Sequence, residues 1–362
     1  MKIFVLTDFP SPYQTEIFNQ ITNTGGAELH IGYLRGLDPD RQWQLRPILH
    51  QSIILDSDLG ALSKARSLVN SADLVVFNYY LHPQAQSLLA ERARLKRPWC
   101  FWGERPGFRK PEWIGQVVRH WKLRWLHSSK ASIWGIGEFA VDGYKSEFGS
   151  GRKYFNLPYF SDLKRFNNGQ HSNGHTRQER VILFSGSLTR RKGVDLLAHA
   201  FVGLVAEGYD VKLRILGAGD LRQSVERQLR GVVERVEFLG FADWQNLPSF
   251  YAEAHVLCVP SRYDGWGLVV PEGLAAGLPV IATDRMGAAL EFIETGRNGW
   301  LIKAGDQNWL LEALRAAASL TSDQLSSMSI QARESVRRHT LEEGARRFLQ
   351  YANDAVVNWQ RR

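Results

Sequence analysis

At 362 residues, 44% of them apolar and 12 of them tryptophan, the chain holds material for two hydrophobic cores, because single cores stop growing at roughly 250–300 residues. No apolar run approaches the ~20 residues that span a bilayer, and MKIFVLTD at the N-terminus reads as a first strand rather than a leader. Two cysteines in strand-like surroundings, Cys100 and Cys258, exclude a disulfide framework and have no metal-ligand spacing, which leaves them as buried free thiols.

The net charge of +8 is uneven. Residues 1–166 carry 22 Lys/Arg against 15 Asp/Glu, and the remainder 23 against 22. From Arg92 to Lys130 there are 11 basic residues and only Glu104 and Glu112 as acids, which predicts a local basic surface.

In chain order, KIFVLTD predicts a strand, QTEIFNQITNT a helix and AELHIGYL a second strand. ADLVVFNYY is a strand followed by the helix PQAQSLLAERARL, and RPWCFWGE is another strand. WIGQVVRHWKLRWLHSS is helical, ASIWGIG a short strand, and GEFAVDGYKSEFG a helix that stops at Gly149. Such alternation predicts a parallel sheet with helices on both faces. From about Leu157 to Arg180 the pattern lapses into a polar stretch rich in Asn, Gly and His, read as a linker. His171 and His175 lie there with no acidic or Cys partner and are read as solvated linker rather than metal ligands.

The pattern then restarts. RVILFSG is a strand, VDLLAHAFVGLVAEG a helix, DVKLRILG and VERVEFLG are strands, and NLPSFYAEA is a helix. Residues 307–320 and 322–338 read as helices, and LEEGARRFLQYANDAVVNWQRR as a final amphipathic one. The predicted fold is α/β, with two doubly wound, Rossmann-like domains facing across a cleft. Residues 1–166 form the first domain, 167–179 the linker and 180–340 the second, and the helix at about 341–362 packs back on the first.

Two loops carry the chemistry. In Ser185–Leu197, Gly186 and Gly193 permit close backbone approach to a ligand, and Lys192 at the helix mouth suits a phosphate oxygen. A solvated basic turn fits that loop equally well when it is read alone. In PSRYDGWGLVVPEGLAAGLPVIATD, Asp264, Gly265, Trp266, Gly267 and Leu268 lie between a strand and a helix, and Glu272 follows eight positions after Asp264. Pro271 fixes the helix start near Leu268. Glu272 there also fits a plain helix-start residue favoured by the dipole, and Asp264 an ordinary turn residue. An anion-binding turn and helix N-terminus between two carboxylates suits a ligand that is phosphate at one end and polyhydroxylated at the other, such as a nucleotide sugar.

These residues resemble the family-4 retaining glycosyltransferases of the GT-B fold, most specifically from Val181 to Asp284 and more loosely over nearly the whole chain. The family's E-x7-E element matches Asp264 to Glu272, with Asp in the first place. The resemblance implies that Glu272 holds the donor ribose, that the backbone from Asp264 to Leu268 meets the donor sugar and diphosphate, and that Lys192 stabilises the leaving phosphate. It adds Gly186, Ser187, Arg191, Gly217 and Phe241 to the donor side, and makes Lys192, Asp264 and Glu272 the catalytic set. It implies transfer with retention, no metal and no cofactor beyond the nucleoside-diphosphate-sugar donor (UDP- or GDP-linked), and a glycan or lipid-linked acceptor in envelope or exopolysaccharide synthesis. The free cysteines fit a cytoplasmic setting, and the basic segment Arg109–Lys130 fits a position peripheral to the inner face of the membrane.

Two departures stand out. Ser187 replaces the family's arginine, and Arg190 or Arg191 is the substitute cation. Pro10, Ser11, Pro12 and Tyr13 replace its glycine-rich N-terminal loop. On the acceptor side Tyr13, Tyr79, His82, Glu104 and Arg105 stand at or beyond strand ends. Asp38/Asp40 and Asp56/Asp58 superficially match a metal-binding D-x-D but read as solvated turns.

Arg109–Lys130 is a basic amphipathic segment with the stripe Ile114, Val117, Val118, Trp121 and Trp125 and with Arg119, Lys122 and Arg124 around it. It fits an anionic membrane surface, and it fits a domain helix whose stripe faces the sheet. A dehydrogenase lacks support, since GAGDLR has Arg222 where a third glycine belongs. No nucleic-acid recognition motif accompanies the basic segment. A fold that binds sugar without transferring it remains the alternative, prompted by Ser187.

Overall fold

Ile3, Phe4, Val5 and Leu6 are all fully buried. A strand buries both of its faces in this way when helices cover both sides of its sheet. The computed structural model describes residues 1–36, 46–57, 59–106, 112–167 and 179–360. They fall into two units, Met1–Asp162 with His339–Arg362, and Leu163–Arg338. The tracts holding Asp38, Asp40, Asp58, Arg109, His171 and His175 lie outside the described residues, as does nearly all of the 167–179 linker.

The first unit runs β1 (Lys2–Thr7), α1 (Pro12–Thr24), β2 (Glu28–Tyr33), β3 (Gln51–Ile54), α2 (Leu59–Ser71), β4 (Leu74–Phe77), α3 (Pro83–Arg94) and β5 (Trp99–Gly103). It continues with α4 (Glu112–Lys122), α5 (Arg124–His127), β6 (Ser132–Gly135), α6 (Glu138–Phe148) and β7 (Tyr154–Asn156). The seven strands are parallel in the order β3-β2-β1-β4-β5-β6-β7. The order reverses between β1 and β4, the switch point outside which ligands of open α/β sheets bind.

The second unit runs β8 (Arg180–Ser185), α7 (Val194–Ala206), β9 (Val211–Leu216), α8 (Arg222–Gln228), β10 (Val236–Gly240), α9 (Leu247–Ala252) and β11 (Val256–Val259). After these come α10 (Val269–Ala276), β12 (Val280–Thr283), α11 (Gly287–Phe292), β13 (Gly299–Ile302), α12 (Gln307–Ala318) and α13 (Ser322–Ser335). Its six parallel strands lie in the order β10-β9-β8-β11-β12-β13, with the switch point between β8 and β11.

The last helix, α14 (Leu341–Gln360), belongs to the first unit. It packs on α1 and sets Phe348 edge-on to Trp102 and Trp134 at 6.3 and 5.4 Å between ring centres. Just before it, His339 stacks on Phe160 at 4.3 Å, and its Nε2 lies 3.0 Å from the Tyr159 carbonyl. The boundary between the units falls at Asp162/Leu163, ahead of the sequence-based boundary at 166. Phe166 packs on Tyr251 at 5.2 Å, so residues 163–166 join the second unit.

Local chemistry sets the helix ends. Pro12 starts α1 and Gly25, at φ 70°, stops it. Thr321 and Gln324 form a reciprocal capping box at α13. Two elements carry little sequence signal. β3 is an exposed edge strand, and among its described side chains α2 buries only the small residues Ala61 and Ala65 with Val69. Below α2, the fully buried guanidinium of Arg92 donates to the carbonyls of Val69 (2.7 Å), Ala72 (2.9 Å) and Pro98 (2.7 Å), which closes the helix's C-terminal end. Cys100 and Cys258 are buried free thiols, and burial pushes both thiols up.

Helix α4 departs from the expectation of a domain helix with its stripe on the sheet. The buried side carries Arg119, ion-paired to Glu147 of α6 at 2.8 Å. Gly115 leaves room for it, since a Cβ there would lie 2.9 Å from Arg119 Nη1. Pinning Arg119 inward turns Trp113, Val117 and Trp121 outward. Two of the basic residues in the 92–130 segment, Arg92 and Arg119, are therefore interior groups. Among the described residues no helix is long and apolar enough to cross a membrane.

Candidate functional site

In a parallel sheet every strand delivers its C-terminal loop to one rim. In the second unit β8 delivers the loop of Gly186, Ser187 and the turn Arg190–Lys192, and β11 delivers the loop from Pro260 to Leu268. The two are pressed together at Gly193, which has φ 73°; a Cβ there would sit 2.0 Å from the Pro260 carbonyl oxygen. Gly217, after β9, is held in the same way, because its Cβ would fall 1.9 Å from the Gly186 carbonyl. Arg262 clamps the loops further. Its guanidinium grips Asp195 in the first turn of α7 through two bonds of 2.8 and 2.7 Å, and its backbone N–H donates to the Arg191 carbonyl at 2.8 Å.

Across this clamp the Lys192 ammonium meets the Asp264 carboxylate in a direct ion pair. Arg191 approaches the same Oδ2 at 3.5 Å while lying over the Tyr263 ring. Burial pushes the Asp264 carboxyl up, but Lys192 and Arg191 together outweigh it and hold it below the usual value. Two cations share one carboxylate, so the cluster keeps an excess positive charge at the switch point. Asp264 is itself fixed by its backbone N–H to the Arg285 carbonyl, 2.9 Å away.

Glu272 lies in the first turn of α10 and is largely buried. The Tyr251 hydroxyl donates to its Oε2 at 3.4 Å, and Arg165 Nη2 stands 3.7 Å from its Oε1. Burial first, and then the Glu272 charge, push the Tyr251 phenol up; its hydroxyl also reaches Ser185 at the end of β8. Tyr251 thus ties the Glu272 carboxylate to the strand that leads into the Lys192 loop. Arg165 is held over the rings of Phe166 and Trp244 at 5.2 and 5.6 Å.

Lys192, Arg191 and Asp264 are brought into one cluster, with Gly186, Ser187, Gly217, Gly265, Gly267, Leu268 and Glu272 on the same sheet rim. Trp266 is expected to contribute through its backbone. Its side chain is 1% exposed and packs edge-on against Phe292, which leaves the backbone as the part open to contact. Phe241, after β10, is exposed. Sequence reasoning missed Arg165, Tyr251, Arg262 and Asp195. Arg165 stands in a stretch assigned to the other domain; Asp195 and Arg262 lie in the two loops already singled out but 67 residues apart, and Tyr251 meets Glu272 across 21 residues, so nothing in the spacing marks either pairing.

In the first unit the acceptor-side residues scatter. Tyr13 packs on Tyr159 at 4.8 Å. His82 caps α3, accepting at Nδ1 from the Gln84 N–H, and Tyr79 lies half-buried against the core. Glu104 has an exposed side chain, and Arg105 lies over the Phe139 ring and donates to the Phe139 carbonyl. At the switch point itself stands a neutral network that sequence reasoning missed. Gln14 Nε2 and Thr7 Oγ1 both donate to Asn78 Oδ1 at 2.9 Å, Ser11 donates to Gln14 Oε1 at 3.1 Å, and Asn78 Nδ2 donates to the Trp102 carbonyl at 2.9 Å.

Comparison with known proteins agrees with this layout. Residues 179–319 match the family described as glycosyl transferases group 1. An uncharacterized glycosyltransferase of Methanocaldococcus jannaschii is 38% identical over 135 residues, 36% of this chain and 34% of that protein. The phosphatidyl-myo-inositol mannosyltransferase of Mycobacterium leprae is 36% identical over 169 residues, 46% of this chain and 44% of that protein. The chain thus spans less than half the length of each of these curated relatives. The crystal structure of Anabaena HepE in complex with UDP and glucose superimposes with a TM-score of 0.76 at 17% identity, covering 98% of this chain and 99% of that one. Residues 179–319 of the second unit are thus similar to the group 1 glycosyltransferases, and the architecture of the chain is GT-B.

Proposed function

We propose that the protein is a family-4 retaining glycosyltransferase that moves a sugar from a nucleoside-diphosphate sugar to a glycan or lipid-linked acceptor, without a metal, at the cytoplasmic side of an envelope-polysaccharide pathway. The observation that carries this reading is the convergence of Lys192 and Arg191 on Asp264 at the β8/β11 switch point, beside the helix that carries Glu272.

The excess positive charge of that cluster suits a diphosphate. Lys192 and Arg191 neutralise the leaving group, and Arg191 takes the place of the cation that Ser187 lacks. Glu272, preset by Tyr251 and Arg165, accepts the ribose hydroxyls. Asp264 holds both cations in position before the donor arrives, so little reorganisation remains at the moment of reaction. The bond from the anomeric carbon to the phosphate oxygen breaks, and the acceptor oxygen bonds to that carbon on the same face. The acceptor hydroxyl proton passes to the departing phosphate oxygen. The M. leprae relative, whose name specifies a phosphatidylinositol acceptor, supports a lipid-linked acceptor here.

Thermal shifts measured against UDP-, GDP- and ADP-sugars test the donor, since a ligand that binds only the folded state raises its stability. One of the three raises the melting temperature of the wild type, and Lys192→Ala and Arg191→Ala both reduce that rise. Proton NMR of the product then reads the anomeric configuration. An inverted product ends the retaining assignment, and a bound donor that is neither transferred nor hydrolysed favours the sugar-binding alternative.

A further inference from the structure

Fourteen large apolar side chains stand exposed among the described residues, and four of them, Trp113, Val117, Val118 and Trp121, belong to the eleven-residue helix α4. Trp113, Val117 and Trp121 are 67%, 64% and 66% exposed. Their spacing of four residues puts them within about 80° of helix circumference, one continuous ridge. Ordinary surface helices show the reverse pattern, with the apolar side turned inward. Here the inward side is occupied by the Arg119–Glu147 pair, so the outward ridge is a consequence of how the helix is anchored.

Cations rim the ridge. The Arg124 guanidinium lies over the rings of Trp121 and Trp125 at 5.9 and 5.7 Å. Lys122 Nζ stands 3.4 Å from the carbonyl of Leu81, itself an exposed apolar residue in the loop after β4. Lys130 is exposed beyond α5. Tryptophans with apolar neighbours and a positive border match the interfacial zone of a bilayer, where indole rings sit among the headgroups and basic side chains meet lipid phosphates. Of the 11 basic residues from Arg92 to Lys130, Arg92 and Arg119 are interior, and the nine others against two acidic ones point to a polyanionic surface.

We propose that α4 docks the first unit onto an anionic membrane, with Trp113, Val117 and Trp121 inserted among the headgroups and Lys122, Arg124 and Lys130 on the lipid phosphates. Docking would bring the first unit to a lipid-linked acceptor; that purpose rests on the function proposed above, whereas the docking itself does not.

Flotation of the full-length protein with phosphatidylcholine vesicles, with and without phosphatidylglycerol, tests it. The wild type floats with the phosphatidylglycerol vesicles, is released by high salt, and shows a blue-shifted tryptophan emission when bound. The Trp113→Ser/Val117→Ser/Trp121→Ser variant loses flotation, and Lys122→Gln and Arg124→Gln each weaken it by roughly fivefold. Circular dichroism and an unchanged nucleotide-sugar thermal shift show that the triple variant is folded. Brominated lipids quench the wild-type tryptophans independently of any variant. Failure of the wild type to float, flotation of the triple variant, or a light-scattering mass that falls to monomer only in the triple variant overturns the proposal; the last outcome assigns the ridge to a second copy. Flotation without any nucleotide-sugar shift leaves the docking intact and removes the donor reading.

Discussion

At the switch point of the second unit two cations converge on a carboxylate outside β8 and β11, whereas at that of the first unit Thr7, Gln14 and Asn78 close a neutral hydrogen-bond network outside β1 and β4. The two sheets share the same strand order around these points. What differs is the loops. In the second unit glycines let backbone segments nearly touch, and each loop carries a charge to the junction. In the first unit Pro10, Ser11 and Pro12 lead from β1 into α1, and the polar side chains Thr7, Ser11, Gln14 and Asn78 bond to one another. The comparison teaches that one scaffold holds, at its switch point, an anion site where charge is left in excess in one unit and a network of neutral side chains bonded to one another in the other.

The largest expected effect breaks the charged side. Lys192→Ala removes one of the two cations and leaves Asp264 with Arg191 alone. Removing a single preorganised donor of this kind costs about 10²–10³ in rate, so transfer falls by that order, with far-UV circular dichroism unchanged. Retention of full activity would sink the assignment of Lys192.

A purely structural lesion in the first unit gives the contrast. Arg92→Leu strips the donors from the carbonyls of Val69, Ala72 and Pro98. Leaving such buried acceptors unpaired costs roughly 2–4 kcal/mol, which a urea titration reads as a lowered midpoint. The donor-induced thermal shift survives in whatever fraction stays folded. A variant as stable as the wild type would show that the buried guanidinium carries no net stability.

Gln14→Ala sharpens the comparison at the switch point itself. It opens the neutral network and leaves Ser11 and Asn78 each short of a partner, at a cost of about 1–3 kcal/mol. Donor affinity does not change, because the donor belongs to the second unit. A raised acceptor KM without a stability loss would instead make the network an acceptor contact.

The fold was legible where apolar runs are long. KIFVLT, LVVF, RVILFS and VKLRIL are buried on both faces, and their hydrophobicity alone marks them as central parallel strands. β3, β7 and α2 were not legible, because edge strands and a helix with an alanine stripe bury too little to leave a pattern. At the site, Asp264 and Glu272 announced themselves by sitting around a glycine turn. Tyr251 and Arg165 did not, since they reach Glu272 only through the packing of α9 and of residues 163–166 against α10. The orientation of α4 was hidden for a different reason. Its periodicity is real, but Arg119 and Glu147 are 28 residues apart and their pairing decides which side faces inward.

Acid gives the finest test of the difference between the units. Burial depresses His50 and His339 to about 4, and both belong to the first unit. Each stays neutral in the folded chain but takes up a proton on unfolding below its ordinary value of 6.5. The unfolded state therefore binds more protons between about 4 and 6.5, and stability in that window falls as pH falls, by roughly 1 kcal/mol per pH unit for each histidine. It is fully present above the unfolded pKa. In the second unit the linked groups include the carboxylates of Asp195, Glu207 and Asp264, each held below its ordinary value. Their contribution is present above the ordinary carboxylate values and is lost only as pH falls through the lower, folded ones. Between pH 7 and 4.5, hydrogen exchange corrected for intrinsic rates should thus loosen β1, β2 and α14 ahead of β8 and β11. Equal loosening of both units, or earlier loosening of the second, would mean that the two histidines do not set the acid limit. His339→Phe, which keeps the ring stacked on Phe160 and removes the proton, should then roughly halve the pH dependence of the first unit, leaving the share of His50.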